Sequence, residues 1–196
     1  MRRFFDLVVS AVLLVILLPV YLLVIVLIMV FMTGPVLFRQ KRIGLSGLPF
    51  VLLKFRSMLV VTNTEQDAFH AGDTSRVTSI GKFLRKTKLD ELPQLFNVLK
   101  GDMSIVGPRP EVEKWTKVYP EKWAIVHKVK PGITDNASIQ FRNEEEILKN
   151  SLNPEETYKN EILPKKLDLY IDYVNNHSFL GDMKIIFKTI KVVLFK

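Results

Sequence analysis

The sequence predicts an α+β fold, mainly helical, built from a re-entrant or spanning N-terminal membrane segment and a small cytoplasmic domain with amphipathic interfacial helices. Three observations predict it. The stretch from Leu7 to Met32 is apolar apart from Ser10, Pro19 and Tyr21. The remainder is basic, so that the 196-residue chain carries a net charge of +8. Most of that remainder shows helical periodicity, with strand-like spacing only in a short stretch after the membrane segment. The division that follows is 1–34 as a membrane helix–break–helix and 35–196 as the domain.

Bulky residues continue to Met32, so the apolar run lacks the small-residue cleavage site of a signal peptide. Its roughly 26 residues reach about 39 Å as one helix, enough to cross a ~30 Å hydrocarbon core with tilt. Pro19 lies near the midpoint, where it removes a backbone hydrogen bond and breaks or kinks the helix. The two limbs, of about 18–20 Å each, fit one leaflet. Arg2 and Arg3 flank one end, and Arg39, Lys41 and Arg42 the other, so the positive-inside rule finds no asymmetry. A kinked spanning helix and a hairpin with both ends cytoplasmic stay open on these grounds.

Between Pro35 and Met58, short apolar runs alternate with Gly44, Gly47 and Pro49, the pattern of a strand or hairpin with Phe50 to Leu53 at its centre. Residues 61–80 are polar and read as a loop. From Lys82 to Leu99 the apolar residues recur at helical spacing, interrupted by Pro93. A second helix is expected to start near Asp90, capped by that residue, and to end at Gly101. Glu111 to Lys128 is predicted helical, with Trp115, Tyr119 and Trp123 on one face that is either core or membrane interface. Residues 143–173 are charged and helical, punctuated by Pro154 and Pro164. In 178–196, Lys184, Lys188 and Lys191 form a narrow stripe on an otherwise apolar helix. That pattern fits the surface of an anionic membrane, or a core helix with snorkelling lysines.

With no cysteine in the chain, disulfides, thiolate nucleophiles and Cys-bound zinc are excluded. His70, His127 and His177 have no metal-ligand spacing, and no nucleotide-binding glycine motif is present. The chemistry therefore falls on Asp90–Glu91, set between Lys82, Arg85, Lys86 and Lys88 and the later Gly107–Pro108–Arg109–Pro110. Each element alone reads as a helix cap or a stiff turn. Together they suit phosphoryl transfer, because carboxylates bind magnesium, guanidinium forks neutralise phosphate, and an aspartate can form an acyl phosphate.

These residues carry a family resemblance. The segment LDELPQLFNVLKGDMS with GPRP, together with FRQKRIG (38–44), KFRSM (54–58) and VKPGIT (129–134), resembles the bacterial sugar transferases in their small monotopic form. The resemblance implies transfer of a phosphosugar from a UDP-sugar to polyprenol (undecaprenyl) phosphate, with release of UMP and with Mg²⁺. It places the catalytic dyad on Asp90 and Glu91, with Asp90 as nucleophile and metal ligand. It assigns substrate binding to Arg85, Pro108, Arg109, Pro110, Arg142 and Lys54. It also implies a hairpin rather than a span, anionic lipids as partners, and the cytoplasmic face of a bacterial inner membrane. Homodimerisation stays open, and no nucleic acid is expected, since no aromatic residues interleave with the basic ones as a stacking platform. The chain departs from the family at Leu18, where serine often precedes the proline, and at Asp135 to Gln140, which leaves the sugar open. The alternative from another class is a non-catalytic membrane adaptor for envelope polysaccharide assembly.

Overall fold

The computed structural model describes residues 1–60 and 76–194, so residues 61–75 of the expected loop lie outside the described residues. Helix α1 (Arg2–Ile16) and helix α2 (Leu18–Phe31) meet at Leu17 with a bend of 62°. Pro19 does not sit at the break but in the first turn of α2, where its missing N–H costs nothing. Among the described residues no single helix is long and apolar enough to cross a membrane, and this bent pair passes only as a pair. Its outer surface is apolar, with Phe4, Val15, Leu23, Met29, Val30 and Phe31 all more than half exposed.

The expected hairpin is present. Strand β1 (Leu37–Ile43) pairs antiparallel with β2 (Pro49–Phe55), with Gln40 opposite Leu52. Helix α3 (Ser79–Thr87) follows, its first turn capped by Thr78. Gly81 lets that turn lie directly on the chain, because a Cβ there would fall 1.8 Å from the carbonyl oxygen of Ser57. The expected helix start at Asp90 is corrected. Lys88 adopts a left-handed conformation (φ 59°), Leu89–Glu91 forms a tight 3₁₀ turn, and helix α4 (Gln94–Lys100) starts only after Pro93. Asp90 caps nothing. It lies inside the turn, 6% exposed. Gly101 ends α4 with φ 102°, as expected.

A second sheet has no counterpart in the sequence reading. Strand β3 (Ser104–Val106) runs parallel to β4 (Gly132–Thr134). Gly107 and Gly132 allow the two chains to touch, since a Cβ on Gly132 would meet the Gly107 nitrogen at 2.1 Å. The helix expected over 111–128 is two: α5 (Glu113–Thr116) and α6 (Pro120–Val126), split at Pro120. Trp115 and Trp123 are buried in a core with Tyr158, Leu163 and Leu167, which settles that face as core rather than interface.

Helices α7 (Asn136–Gln140), α8 (Glu144–Lys149) and α9 (Pro154–Thr157) lead into a π-helical stretch at Tyr158–Ile162 and then α10 (Leu163–Asn176). Pro154 and Pro164 stand in first turns. Helix α11 (Phe179–Leu194) buries Asp182 and Ile185 against the domain. Its opposite side exposes Leu180, Phe187 and Ile190 beside Lys184, Lys188 and Lys191.

Candidate active site

The Asp90–Glu91 turn is held from three directions. Below it, Asn97 of α4 locks onto the edge of β2: its Oδ1 accepts from Leu53 N at 3.0 Å, and its Nδ2 donates to Val51 O at 2.7 Å. This fixes the neighbouring Lys54, whose Nζ donates to Glu91 Oε1 at 3.1 Å. Opposite, the Pro-Arg-Pro element is pinned at both ends by its own carbonyls. Pro108 O accepts from Gly132 N at 3.0 Å, and Pro110 O from the Arg42 guanidinium at 3.2 Å. Arg109 therefore projects from a fixed strap and forks onto both oxygens of Glu91, one bond measuring 3.1 Å at Oε2 and the other falling on Oε1.

The electrostatics divide the two carboxylates. Burial alone would raise Glu91 most, yet Arg109 and Lys54 outweigh it and hold the carboxyl well below its ordinary range. Glu91 is thus a permanent anion with both oxygens engaged. It has no capacity to act as a proton acceptor near neutral pH. Asp90 goes the other way: burial raises it, with Glu91 adding to the rise and Lys54 opposing it. Its Oδ1 is buried with no hydrogen-bond partner. One helical turn on, Gln94 is 1% exposed and its Nε2 is likewise unpartnered. Buried groups left unpaired cost stability and call for an explanation in function or in a missing partner.

Behind the strap lies a buried network absent from the sequence reading. Arg42 Nη1 donates to Glu111 Oε1 at 2.8 Å, Tyr158 OH donates to Glu111 Oε2 at 2.9 Å, and Lys166 Nζ reaches Glu144 Oε2 at 3.0 Å. Burial works to raise Glu111, but Arg42 and Lys166 prevail and lower it. Arg42, expected from the sequence as a membrane-flanking charge, is 8% exposed and structural instead. Arg3 also leaves that role, donating to the carbonyls of Val98 (2.5 Å) and Leu99 (2.8 Å) at the C-terminus of α4, a favourable place for a cation.

The structure therefore brings Lys54, Asp90, Glu91, Pro108, Arg109 and Pro110 into one cluster. Arg85, in the last turn of α3, instead donates Nε to Ser57 Oγ at 3.0 Å and Nη1 to Glu145 at 3.0 Å. Arg142 is exposed on the turn between α7 and α8, three residues before Glu145. Among the described residues no side-chain hydrogen bond or ion pair links Arg85 or Arg142 to Asp90. Nor do three or more His, Asp or Glu side chains converge as a metal site among them.

A bent apolar helix pair is thus joined to a domain whose carboxylate turn faces a fixed arginine. The comparisons identify the chain further. The bacterial sugar transferase family model matches residues 1–196, and the chain belongs to that family. It is 39% identical over 193 residues to the UDP-glucose:undecaprenyl-phosphate glucose-1-phosphate transferase of Klebsiella pneumoniae, a match covering 96% of this chain and 39% of the relative. It is 40% identical over 194 residues to the uncharacterised sugar transferase EpsL of Bacillus subtilis, covering 99% of this chain and 87% of the relative. A UDP-galactose-lipid carrier transferase of Erwinia amylovora is 37% identical, matched over 99% of this chain and 40% of its own length. The chain thus spans about two-fifths of the Klebsiella and Erwinia relatives and most of the Bacillus one.

Proposed function

We propose that this chain is a phosphoglycosyl transferase that moves a phosphosugar from a UDP-sugar to undecaprenyl phosphate with release of UMP. The observation that carries the reading is the separation of the two acidic side chains. Asp90 keeps a buried Oδ1 with no hydrogen-bond partner and is the carboxylate read as the nucleophile, while Glu91 is consumed in holding Arg109 and Lys54. Relatives named for glucose and for galactose transfer support the reaction class and leave the sugar open.

In the first step an Asp90 carboxylate oxygen attacks the β-phosphorus of the donor. The bond from that phosphorus to the bridging oxygen breaks, UMP departs, and a phosphosugar remains on Asp90. In the second step an oxygen of the lipid phosphate attacks the same phosphorus. The Asp90 carboxylate is released and the lipid diphosphate sugar is formed. In their anionic forms both nucleophiles attack without losing a proton, so neither step needs a general base. Arg109 spends two of its five donors on Glu91 and keeps the rest for phosphate oxygens. Lys54 adds a second positive charge beside the transferring group.

The residues fit magnesium in the manner usual for phosphoryl transfer, one protein carboxylate sharing the ion with substrate phosphates. The buried, unpartnered Oδ1 of Asp90 would be the protein ligand of such a site. Bound there, the ion would neutralise charge on the donor phosphates.

Membrane placement follows the same reading. Limbs of about 22 Å meeting at the 62° bend put the apex roughly 11 Å below the line joining their outer ends. That depth suits one leaflet, about half of a ~30 Å core, with both ends on the cytoplasmic face. Leu180, Phe187 and the lysine stripe of α11 then rest on anionic headgroups. Holding the site at the surface raises the effective concentration of the lipid phosphate. The test is a panel of UDP-sugars offered to purified protein with Mg²⁺ and undecaprenyl phosphate. UMP formation from one donor supports the reading. Folded, membrane-bound protein that forms no UMP with any donor supports the adaptor instead.

A further inference from the structure

Tyr21 stands in the first turn of α2, and its backbone N–H donates to Leu17 O at 2.9 Å across the helix break. Its ring is 6% exposed and packs edge-on between Phe55 of β2 (5.5 Å) and Phe96 of α4 (6.1 Å). Its hydroxyl donates to Leu92 O at 2.5 Å. Leu92 directly follows the Leu89–Glu91 turn. That carbonyl already accepts from Leu95 N at 3.0 Å, so the phenol is not needed to satisfy it. Phenylalanine would pack as well and avoid burying a hydroxyl. At the far end of α4, Arg3 of α1 takes the carbonyls of Val98 and Leu99. The two limbs of the membrane pair therefore grip the two ends of the α4 segment that directly follows the Asp90 turn.

We propose that Tyr21 is a positioning residue, tying the bend of the membrane helix pair to the Asp90–Glu91 turn through the Leu92 carbonyl. The inference rests on the transferase reading for its effect on turnover, though not for its effect on the turn. A hydroxyl placed four residues past the break lets the angle of the helix pair set the height of the nucleophile. Removing it leaves the apolar contacts in place and frees the turn to move.

The test compares the full chain with Tyr21→Phe in vesicles of phosphatidylcholine and phosphatidylglycerol. Hydrogen exchange is read at the Glu91, Leu92, Leu95 and Phe96 amides. Exchange there is expected to rise in Tyr21→Phe by about three- to tenfold, one hydrogen bond's worth, with melting temperature and membrane binding unchanged. In the same preparation kcat falls by about three- to tenfold while KM for the donor holds within about twofold. Unchanged exchange at these amides overturns the inference whether or not the protein turns over, as does unchanged kcat. Loss of protection across the whole chain also overturns it, since Tyr21 would then serve only packing. If exchange rises locally but wild-type protein releases no UMP, the positioning stands and the transferase reading fails.

Discussion

Arg109 and Glu91 form a forked ion pair between a strap pinned at Pro108 and Pro110 and a turn pinned by Asn97. Two rigid elements thus meet at one guanidinium, which fixes where the remaining N–H donors point. Lysine offers a point charge in place of the planar fork. Arg109→Lys should therefore lower kcat/KM by about 100-fold, of the order of two charge-assisted hydrogen bonds. Initial rates of UMP release measure it, and a change under threefold would remove Arg109 from substrate handling.

Glu91→Gln breaks the pair from the other side and leaves two partly buried cations without their counter-charge. A loss of about 2 kcal/mol or more in stability is expected, read by denaturant unfolding in detergent. Turnover should fall, and the acidic limb set by Asp90 should move to lower pH, because Glu91 no longer adds to the rise of its neighbour. An acidic limb that moves up, or disappears, would instead make Glu91 an acid–base group.

Asp90 carries the opposite sign. Burial raises its folded-state pKa above the unfolded value, so the fold prefers the neutral carboxyl. As pH rises through the unfolded and then the folded pKa, Asp90 takes stability away. At pH 7 Asp90→Asn should consequently melt higher than wild type, and the difference should shrink towards pH 4. The acidic limb of kcat/KM should lie above the usual aspartate range of about 3.9 and mark the loss of the anionic nucleophile. Equal melting temperatures at pH 7 would contradict the burial cost.

Glu111 behaves as Glu91 does, its pKa lowered in the fold by Arg42 and Lys166 against the effect of burial. Its stabilisation is fully present above the unfolded value of about 4.3 and is lost as pH falls through the lower folded value. Acid unfolding should therefore begin below pH ~4 in wild type. Arg42→Met takes from buried Glu111 its ion-pair partner, leaving the bonds from Tyr158 and Val112, removes a bond to Pro110 O, and should cost about 3 kcal/mol. It should also move the acid transition to higher pH. Circular dichroism across a pH series checks both.

The absence of cysteine makes site-directed labelling clean. Phe4 is 73% exposed and Arg39 is exposed at the far end of the helix pair. Phe4→Cys and Arg39→Cys should both react with an impermeant maleimide from the cytoplasmic side of oriented vesicles. Labelling of Phe4→Cys only from the opposite side would establish a spanning helix.

How much of this was legible in the sequence depended on range. Local signals read well: the β1–β2 hairpin from Gly44, Gly47 and Pro49, the end of α4 at Gly101, and the disruption around Pro19. The turn at Asp90 was misread because Lys88 is left-handed without being glycine, a choice made by packing and invisible to propensity. The Arg42–Glu111–Tyr158 network joins positions 69 and 47 residues apart, so no pattern in one sequence could show it. FRQKRIG drew attention to Arg42, but as a flanking charge rather than a buried tie. The β3–β4 pairing was missed for a similar reason, each strand being three residues long. The Gly107 and Gly132 positions were its only local trace.

The proposed nucleophile, Asp90, is tested most directly by trapping its phosphosugar adduct. Purified wild type incubated with its UDP-sugar and Mg²⁺, without lipid acceptor, should release one UMP per enzyme in a burst. Intact-mass and peptide spectra should then place a phosphosugar on the peptide containing Asp90, removable by undecaprenyl phosphate. Asp90→Asn should give neither burst nor adduct. Release of UMP by Asp90→Asn, or an adduct on any other residue, would contradict the account.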